Sequence, residues 1–523
     1  MLEVKLLGRQ LMARLRVACN ASATNLVSDG ANTATTRILR FRALSLGMAN
    51  ALDYALQFLL PVVLVRYLDS AAVGEYRLLW LAVGTVLPLA TMGMPGSLYY
   101  YLPRSDASTK RLYINHALLF LSVTGLIAAW AISAWNPGLP ETIRLLAAHG
   151  AILPAFVLLW VISALLNPLP TVDERVKWQV GATIGLSALR AIALSAAAIL
   201  TGDIAPVMMV LLAFAVFKVA LLLRYVSTYH GLGRPLLRRQ AFADQVRFAA
   251  PNGAAGALYG LRTQADQWVA AAIFSAGMFA SFSIAAVLAP LINLFRISVN
   301  NAFMPSMSRH QANGDIHAML ELNSQANVTV AVLVCPIFAF AFVFAADIVS
   351  FVYTPAYVQA APVMQVYIIG LSALVVELST VTMLLRLAPF VTGVNLVALI
   401  LSAPLSWLCA RHFGLAGAAV GSVAVIYLDR LVIVWRISRL TRIAMSRLQD
   451  WRVLARLMIF AVFSGLFAWA VVSRHFAASI PLVRMLVGGL CLLAMYGMLH
   501  AISSSKGNVF ARLKLRLGGR GSV

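Results

Sequence analysis

From residue 43 to the C-terminal region the chain is a succession of apolar runs about 20 residues long, each closed by a short polar or Pro/Gly-containing break. No other feature restricts the fold as much. A bilayer core about 30 Å thick takes about 20 helical residues to cross, and inside it every backbone N–H and C=O must find a partner within the protein. The chain is 61% hydrophobic and 11% charged, against about 45–50% and 25% in soluble domains, so a soluble fold would have no interior large enough for its apolar residues. The sequence predicts an all-α polytopic membrane protein. About fourteen transmembrane helices are expected, over 43–66, 76–101, 111–135, 142–166, 178–201, 204–226, 247–273, 277–303, 325–346, 361–386, 388–411, 415–437, 453–473 and 480–502.

Charge tests this layout, because loops on the cytoplasmic side of a membrane are rich in Lys and Arg. Alternate loops carry Arg104, Lys110 and Arg111; Arg175 and Lys177; Arg224, Arg234, Arg238, Arg239 and Arg247; Arg309; Arg386; and Arg439, Arg442, Arg447 and Arg452. The intervening loops, such as TGD at 201–203 and FSAG at 274–277, have few or none. Both ends of the chain are basic, so both are expected in the cytoplasm. The net charge of +23 then reflects this bias and attraction to anionic membrane lipids. Nucleic acid is not expected, since no exposed domain could carry a groove for it. In MLEVKLLGRQLMARLRVACN, Arg9, Arg14 and Arg16 interrupt any apolar core of a cleavable signal. Leu2, Leu6, Leu7, Leu11 and Leu15 at helical spacing fit a surface-lying amphipathic helix or a basic tail. Cys19, Cys335, Cys409 and Cys491 are scattered singly, with neither disulfide nor metal-ligand spacing, and no cofactor is indicated.

An internal repeat divides the chain. RYLDSAAVGEYRLLWLAVGTVLPL after the first span is echoed by AAIFSAGMFASFSIAAVLAPLINL after the seventh. In both, a span ends at a small-residue turn and an aromatic residue, Tyr76 or Phe282, opens the next. Two bundles facing a central site are a common transporter plan. The expected organisation is a basic segment 1–42, a first bundle 43–228, a linker 229–246, a second bundle 247–438, two further helices 439–502 and a basic tail 503–523.

Polar residues inside the spans fall in stripes. At about 100° per residue, Asn252, Gly256, Tyr259, Arg262, Thr263, Asp266 and Gln267 share one side of the seventh helix, and only Gln264 strays. Asn50, Asp53, Tyr54 and Gln57 repeat the pattern on the first helix, and Asn293, Arg296 and Asn300 on the eighth. Stripes on three spans predict a shared water-filled cavity. The alternative for Arg262 and Asp266, four residues apart, is a pair on one helix turn. Arg190, Lys218, Arg262, Arg296 and Arg430 are the expected intramembrane cations, and Asp53, Asp266, Glu377 and Asp429 the anions. At roughly 2.5–3.5 kcal/mol per central charge, such groups must be paired, hydrated or matched to a substrate. Asp53, Asp266, Glu377 and Arg190 are candidates for ion pairs or for coupling to Na+ or H+. Arg binds phosphate oxygens in a bidentate fork, so Arg262 and Arg296 on neighbouring cavity helices suit a diphosphate carrying sugars.

RALSLGMANALDYALQFLLPVVLVRYLDSAAVGEYRLLW, RFAAPNGAAGALYGLRTQADQWVAAAIFSAG, NNAFMPSMSRHQANGD and ADIVSFVYTPAYVQAAPVMQVYIIGL resemble the polysaccharide-transporter (Wzx-type) flippases. These belong to the multidrug/oligosaccharidyl-lipid/polysaccharide (MOP) exporter superfamily, and the resemblance runs through nearly the whole chain. It implies two six-helix bundles around a central cavity with helices 13 and 14 appended, in the bacterial cytoplasmic (inner) membrane. It also implies a flippase that carries an undecaprenyl-diphosphate-linked oligosaccharide to the outer leaflet by alternating access, driven by an ion gradient or membrane potential. A polysaccharide polymerase and export machinery would be its partners. The cationic cavity residues that bind diphosphate in the family are carried over to Arg262 and Arg296, and the family's acidic position on the seventh helix to Asp266. Glu75, in GEYR, receives no role.

Two rivals follow. A multidrug antiporter for organic cations should have an acidic cavity, and this one leans basic. A membrane polymerase or ligase needs a sizeable outer loop for its catalytic groups. The longest outer break here, 347–360, carries only Asp347, and no HExxH, Walker or nucleophile-elbow pattern is present.

Overall fold

A computed structural model describes residues 45–518, apart from 139–141, 143, 145, 147, 148, 232, 234–236 and 287. The described residues form helices and turns and contain no strand. Helix α1 (Ser45–Tyr67) is followed by α2 (Ser70–Thr91), α3 (Met94–Tyr101), α4 (Ala107–Ala131), α5 (Ile152–Val172), α6 (Val176–Thr201) and α7 (Ile204–Tyr229). Next come α8 (Arg239–Ile273), α9 (Ala276–Ala285), α10 (Leu288–Ala312), α11 (Ile316–Val343), α12 (Ala345–Val352), α13 (Ala360–Ala373) and α14 (Ser379–Leu384). The long α15 (Ala388–Thr441), α16 (Trp451–His475) and α17 (Pro481–Gly518) complete the chain. Ten helices among the described residues are long and apolar enough to cross a membrane. The protein is a multi-pass membrane protein.

Acidic residues start many of these helices. The side chains of Asp69, Asp106, Asp203, Asp315 and Asp450 accept from backbone N–H groups in the first turns of α2, α4, α7, α11 and α16. An aspartate there satisfies an orphan donor and complements the helix dipole. Much of the scarce acidic charge is thereby spent at helix ends, and few carboxylates remain within the spans.

Helical segments fall within all the ranges expected from the sequence, but the second span is divided at Met92–Gly93, the fourth is interrupted by a turn at 149–151, and three further boundaries differ. The region 229–246, expected as linker, becomes helix from Arg239, because Phe242, Gln245 and Phe248 dock on α3 and α4. Phe248 stacks on Tyr100 at 4.6 Å, Phe242 meets His116 at 5.4 Å, and buried Gln245 donates to Ser97 Oγ at 2.9 Å. The eighth span is divided between α9 and α10 four residues ahead of Pro290, whose missing N–H cannot bond residue 286. The tenth span is broken between α13 and α14 for tertiary reasons given below.

Helix α15 turns back on itself at Gly414 (φ 66°, ψ −147°), a conformation that only glycine adopts readily. Ser402 and Ser422, which a straight helix would hold about 30 Å apart, hydrogen-bond at 2.9 Å. The separate spans expected over 388–411 and 415–437 are therefore the two arms of this hairpin. The expected basic segment 1–42 lies outside the described residues. The tail expected from 503 continues α17 as helix.

Helix α4 packs on α5, α5 on α7 and α7 on α6, with α2 lying on α4, α5 and α7. A second group forms from α8, α13 and α14 against α15, and from α10 and α13 against α11, with α16 and α17 stacked on α11. The groups meet where α2 crosses α8 and α9. At one end a Cβ on Gly74 would collide with the Ala276 carbonyl, and at the other a Cβ on Gly253 would collide with Met92. The backbones thus touch at both ends of α2. Midway, Thr85 Oγ1 donates to Gln264 Oε1 at 2.6 Å and accepts from Trp268 Nε1 at 2.8 Å. Gln264 strays from the polar stripe because it faces this crossing.

Candidate functional site

The stripe on α8 and the stripe on α10 open into one cavity of about 490 Å3 between α8, α10, the α13–α14 break and both arms of α15. Its wall includes Tyr259, Arg262, Arg296, Asn300, Glu377, Asn395, Asp429 and Arg430. A second cavity of about 270 Å3 shares Tyr259, Arg262, Asp429 and Arg430 with it, and holds Thr263, Asp266, Gln267, Asn293 and Tyr367.

Both candidate diphosphate ligands are present and both are paired. Arg262 donates through Nη1 to Asn395 Oδ1 and through Nη2 to Asp429 Oδ2 at 2.9 Å. Arg296 Nε meets Glu377 Oε2 at 3.0 Å, while its Nη1 donates to the Leu374 carbonyl at 3.0 Å. The alternative, a pair on one helix turn between Arg262 and Asp266, does not form. Arg262 turns to α15 instead, and the buried Asp266 accepts from the Tyr367 hydroxyl at 2.9 Å.

The break at 374–378 is part of this construction. Non-helical backbone at membrane depth is tolerated only where protein or cavity water satisfies it, and here side chains do so. Arg296 takes the Leu374 carbonyl. Buried Asn327 on α11 accepts from Glu377 N at 3.1 Å and donates to the Glu377 carbonyl at 3.3 Å and to Gln449 Oε1 at 3.0 Å. Glu377 Oε1 in turn accepts from Ser379 N at 2.7 Å and caps α14. Asn300 donates to Thr380 Oγ1 at 2.6 Å on the cavity wall.

The remaining candidates are distributed less simply. Asn293 lines the smaller cavity with its Oδ1 buried and unpartnered, and Thr263 donates to the Gly260 carbonyl at 3.0 Å. Asn252 is exposed and lies on neither wall. The α1 stripe does not join these cavities. Asp53 accepts from Ser187 Oγ at 2.5 Å and Gln57 Nε2 at 2.7 Å, and lies 3.7 Å from Arg190 on α6. Asn50 and Tyr54 are exposed on the same helix. Beside this pair, Lys218 on α7 sits 4.2 Å over the Trp160 ring, so the first group of helices has its own cation-rich cluster. Glu75 pairs with His149 at 2.9 Å.

Sequence reasoning missed Asn395 and the joining role of Arg430. Thr392, Asn395, Ser402 and Ser406 recur at helical spacing on the first arm of α15, and that polar stripe was the available signal. An apolar groove of about 750 Å3 between α11, α13, α15 and α16 was not legible at all. Cys335, Val376, Leu431, Trp451 and Met458 line it, and Arg430 sits where it adjoins the polar cavities.

The sequence model of the family described as polysaccharide biosynthesis protein matches residues 42–311, more than half of the chain. Among solved structures, the chain is similar to the lipid II flippase MurJ in an inward closed conformation. That likeness has 12% identity over 87% of this chain and 98% of the other, with a TM-score of 0.67. An inward-facing multidrug resistance MATE family transporter of the MOP superfamily matches with 12% identity over 75% of this chain and 96% of that one, TM-score 0.56. A MOP superfamily transporter from Pyrococcus furiosus matches with 12% identity over 78% and 96%, TM-score 0.50. Curated protein sequences give no match. At these identities the structural likenesses establish the fold, and the family match establishes the lineage. The chain belongs to the polysaccharide biosynthesis protein family, and its fold is that of these membrane transporters.

Proposed function

We propose that the protein moves a polyprenyl-diphosphate-linked oligosaccharide, such as the undecaprenyl-linked repeat unit of a surface or exopolysaccharide, from the cytoplasmic to the outer leaflet of the bacterial inner membrane. The observation that carries this reading is the composition of the larger cavity. Arg262, Arg296 and Arg430 face a space also lined by Tyr259, Asn300, Asn301, Ser379, Thr380 and Asn395. Guanidinium groups match phosphate oxygens, and the amides and hydroxyls can hydrogen-bond sugar hydroxyls. The apolar groove adjoins this cavity at Arg430 and suits a hydrocarbon chain that stays in the lipid phase. A lipid-linked saccharide needs these two environments side by side.

Alternating access would proceed by rocking of the two helix groups about the α2 crossing, with Na+, H+ or the membrane potential as driving force. Asp53, Asp266 and Glu377 are the candidate carboxylates for coupling it. Both ends of the chain would lie in the cytoplasm. An organic-cation antiporter is disfavoured by the larger cavity, where three arginines face two carboxylates, Glu377 and Asp429. The direct test is reconstitution of the full chain in liposomes with a fluorescent prenyl-diphosphate saccharide. Protein-dependent loss of label from one leaflet, abolished in Arg262→Ala plus Arg296→Ala, is the expected result. Transport of a cationic dye with no movement of the saccharide would overturn the reading.

A further inference from the structure

Three arginines face the larger cavity, but only two have a carboxylate. Arg262 is held by Asp429 and Arg296 by Glu377. Arg430 contributes to both polar cavities and to the apolar groove. Among the described residues it makes no ion pair or hydrogen bond, and its Nε is buried without a partner.

We propose that Asp429 and Glu377 are resident stand-ins for the substrate's phosphates, displaced as a lipid diphosphate enters, and that Arg430 makes the first contact. The proposal rests on the diphosphate reading above. Carboxylate and phosphate offer a guanidinium the same pair of oxygens, so each carboxylate occupies a place that a phosphate would take. Both lie on the cavity wall, and Glu377 keeps its Ser379 N bond through the other oxygen of its carboxylate. Neither arginine depends on its acid alone, because Asn395 holds Arg262 and the Leu374 carbonyl holds Arg296. The guanidiniums therefore stay in position when the acids leave.

The arrangement addresses two problems. An empty cavity with three bare cations would be costly to insert into the membrane. A filled one would hold a diphosphate too firmly to release, whereas passage requires binding weak enough to leave. Competing carboxylates lower both costs and drive release as they return. Arg430 has no ion pair of its own among the described residues, and Glu377, bonded to Arg296, acts on its charge only at a distance. Arg430 stands where a lipid in the groove would bring its phosphate to the cavity, and so it sets capture.

The test measures binding of farnesyl diphosphate by calorimetry to the full chain in nanodiscs, with farnesol and inorganic diphosphate as separate arms. Arg430→Gln is expected to weaken binding at least tenfold. Asp429→Asn and Glu377→Gln are each expected to tighten it severalfold and to slow turnover in liposomes. Ion pairs that only shape the site predict the opposite sign, so weaker or unchanged binding in the two amide variants overturns the proposal while leaving the transport reading intact. The two amides are independent, and if thermal unfolding shows that one is misfolded, the other decides. Inorganic diphosphate binding as tightly as farnesyl diphosphate would overturn capture from the groove. Wild-type protein that binds neither would remove the diphosphate reading, and this proposal with it.

Discussion

Two asparagines one turn apart on α11 should respond in opposite ways to the same substitution. Asn327 and Asn323 are both buried. Asn327 holds the broken tenth span through both backbone groups of Glu377 and reaches Gln449. Both polar side-chain atoms of Asn323 are unpartnered among the described residues. Asn327→Leu strands three buried groups. A buried unsatisfied group costs roughly 1–3 kcal/mol in water-soluble proteins, whereas hydrogen bonds inside membranes average about 0.6 kcal/mol because the unfolded state finds other partners. The lower figure still gives a loss of about 2 kcal/mol, and the rigid packing around the break pushes it higher. Asn323→Leu removes an unpaired amide and should be neutral or stabilising. Thermal unfolding of the purified chain should therefore fall by roughly 2 °C or more for Asn327→Leu and hold or rise for Asn323→Leu. Saccharide transport should drop only in the former, since the break positions Glu377 and the carbonyl that anchors Arg296. Equal effects of the two substitutions would refute the claim that side chains from α11 hold the break open.

Asp173 sits between helices, where burial opposes its ionisation but hydrogen bonds from His230 and Tyr225 outweigh it and hold its carboxyl below the ordinary value of 3.8. A depressed carboxylate contributes stability above that value and loses it as pH falls through the folded value. The unfolding temperature of wild type should thus exceed that of Asp173→Asn at neutral pH, with the gap closing below about pH 4. Gly74→Val should force α2 away from α9. In a background without native cysteines, a cysteine replacing buried Ser281 should then label faster with an impermeant maleimide added from outside.

Much of this architecture was legible because membrane insertion writes it in composition. Apolar runs located the helices, and cation-rich breaks gave the expected sidedness. Helical periodicity picked out Arg262, Arg296, Asn300, Thr263, Asp266, Gln267 and Asn293, all of which line the two cavities. Pairings were not legible. Arg262 and Asp266 are close in sequence, yet the carboxylate that Arg262 finds is Asp429, 167 residues away. The break at 374–378 contains neither Pro nor Gly, and the bonds that stabilise it come from α10 and α11. The α1 stripe was expected in the shared cavity by analogy with α8, but Asp53 is drawn to Ser187 and Arg190 on α6. Periodicity reports which residues share a face and says nothing of what that face meets.

The central claim is that the cationic cavity carries a diphosphate-linked glycan. It is tested most directly by the lipid-linked glycan pool of a bacterial strain lacking this gene, complemented with wild type or with Arg262→Ala plus Arg296→Ala at matched protein levels. The account predicts that polyprenyl-diphosphate oligosaccharide accumulates on the cytoplasmic side without the protein, and that wild type clears it while the double variant does not. Clearance by the double variant at the wild-type rate would contradict the assignment of the site. Absence of any such accumulation, with altered drug sensitivity in its place, would contradict the function.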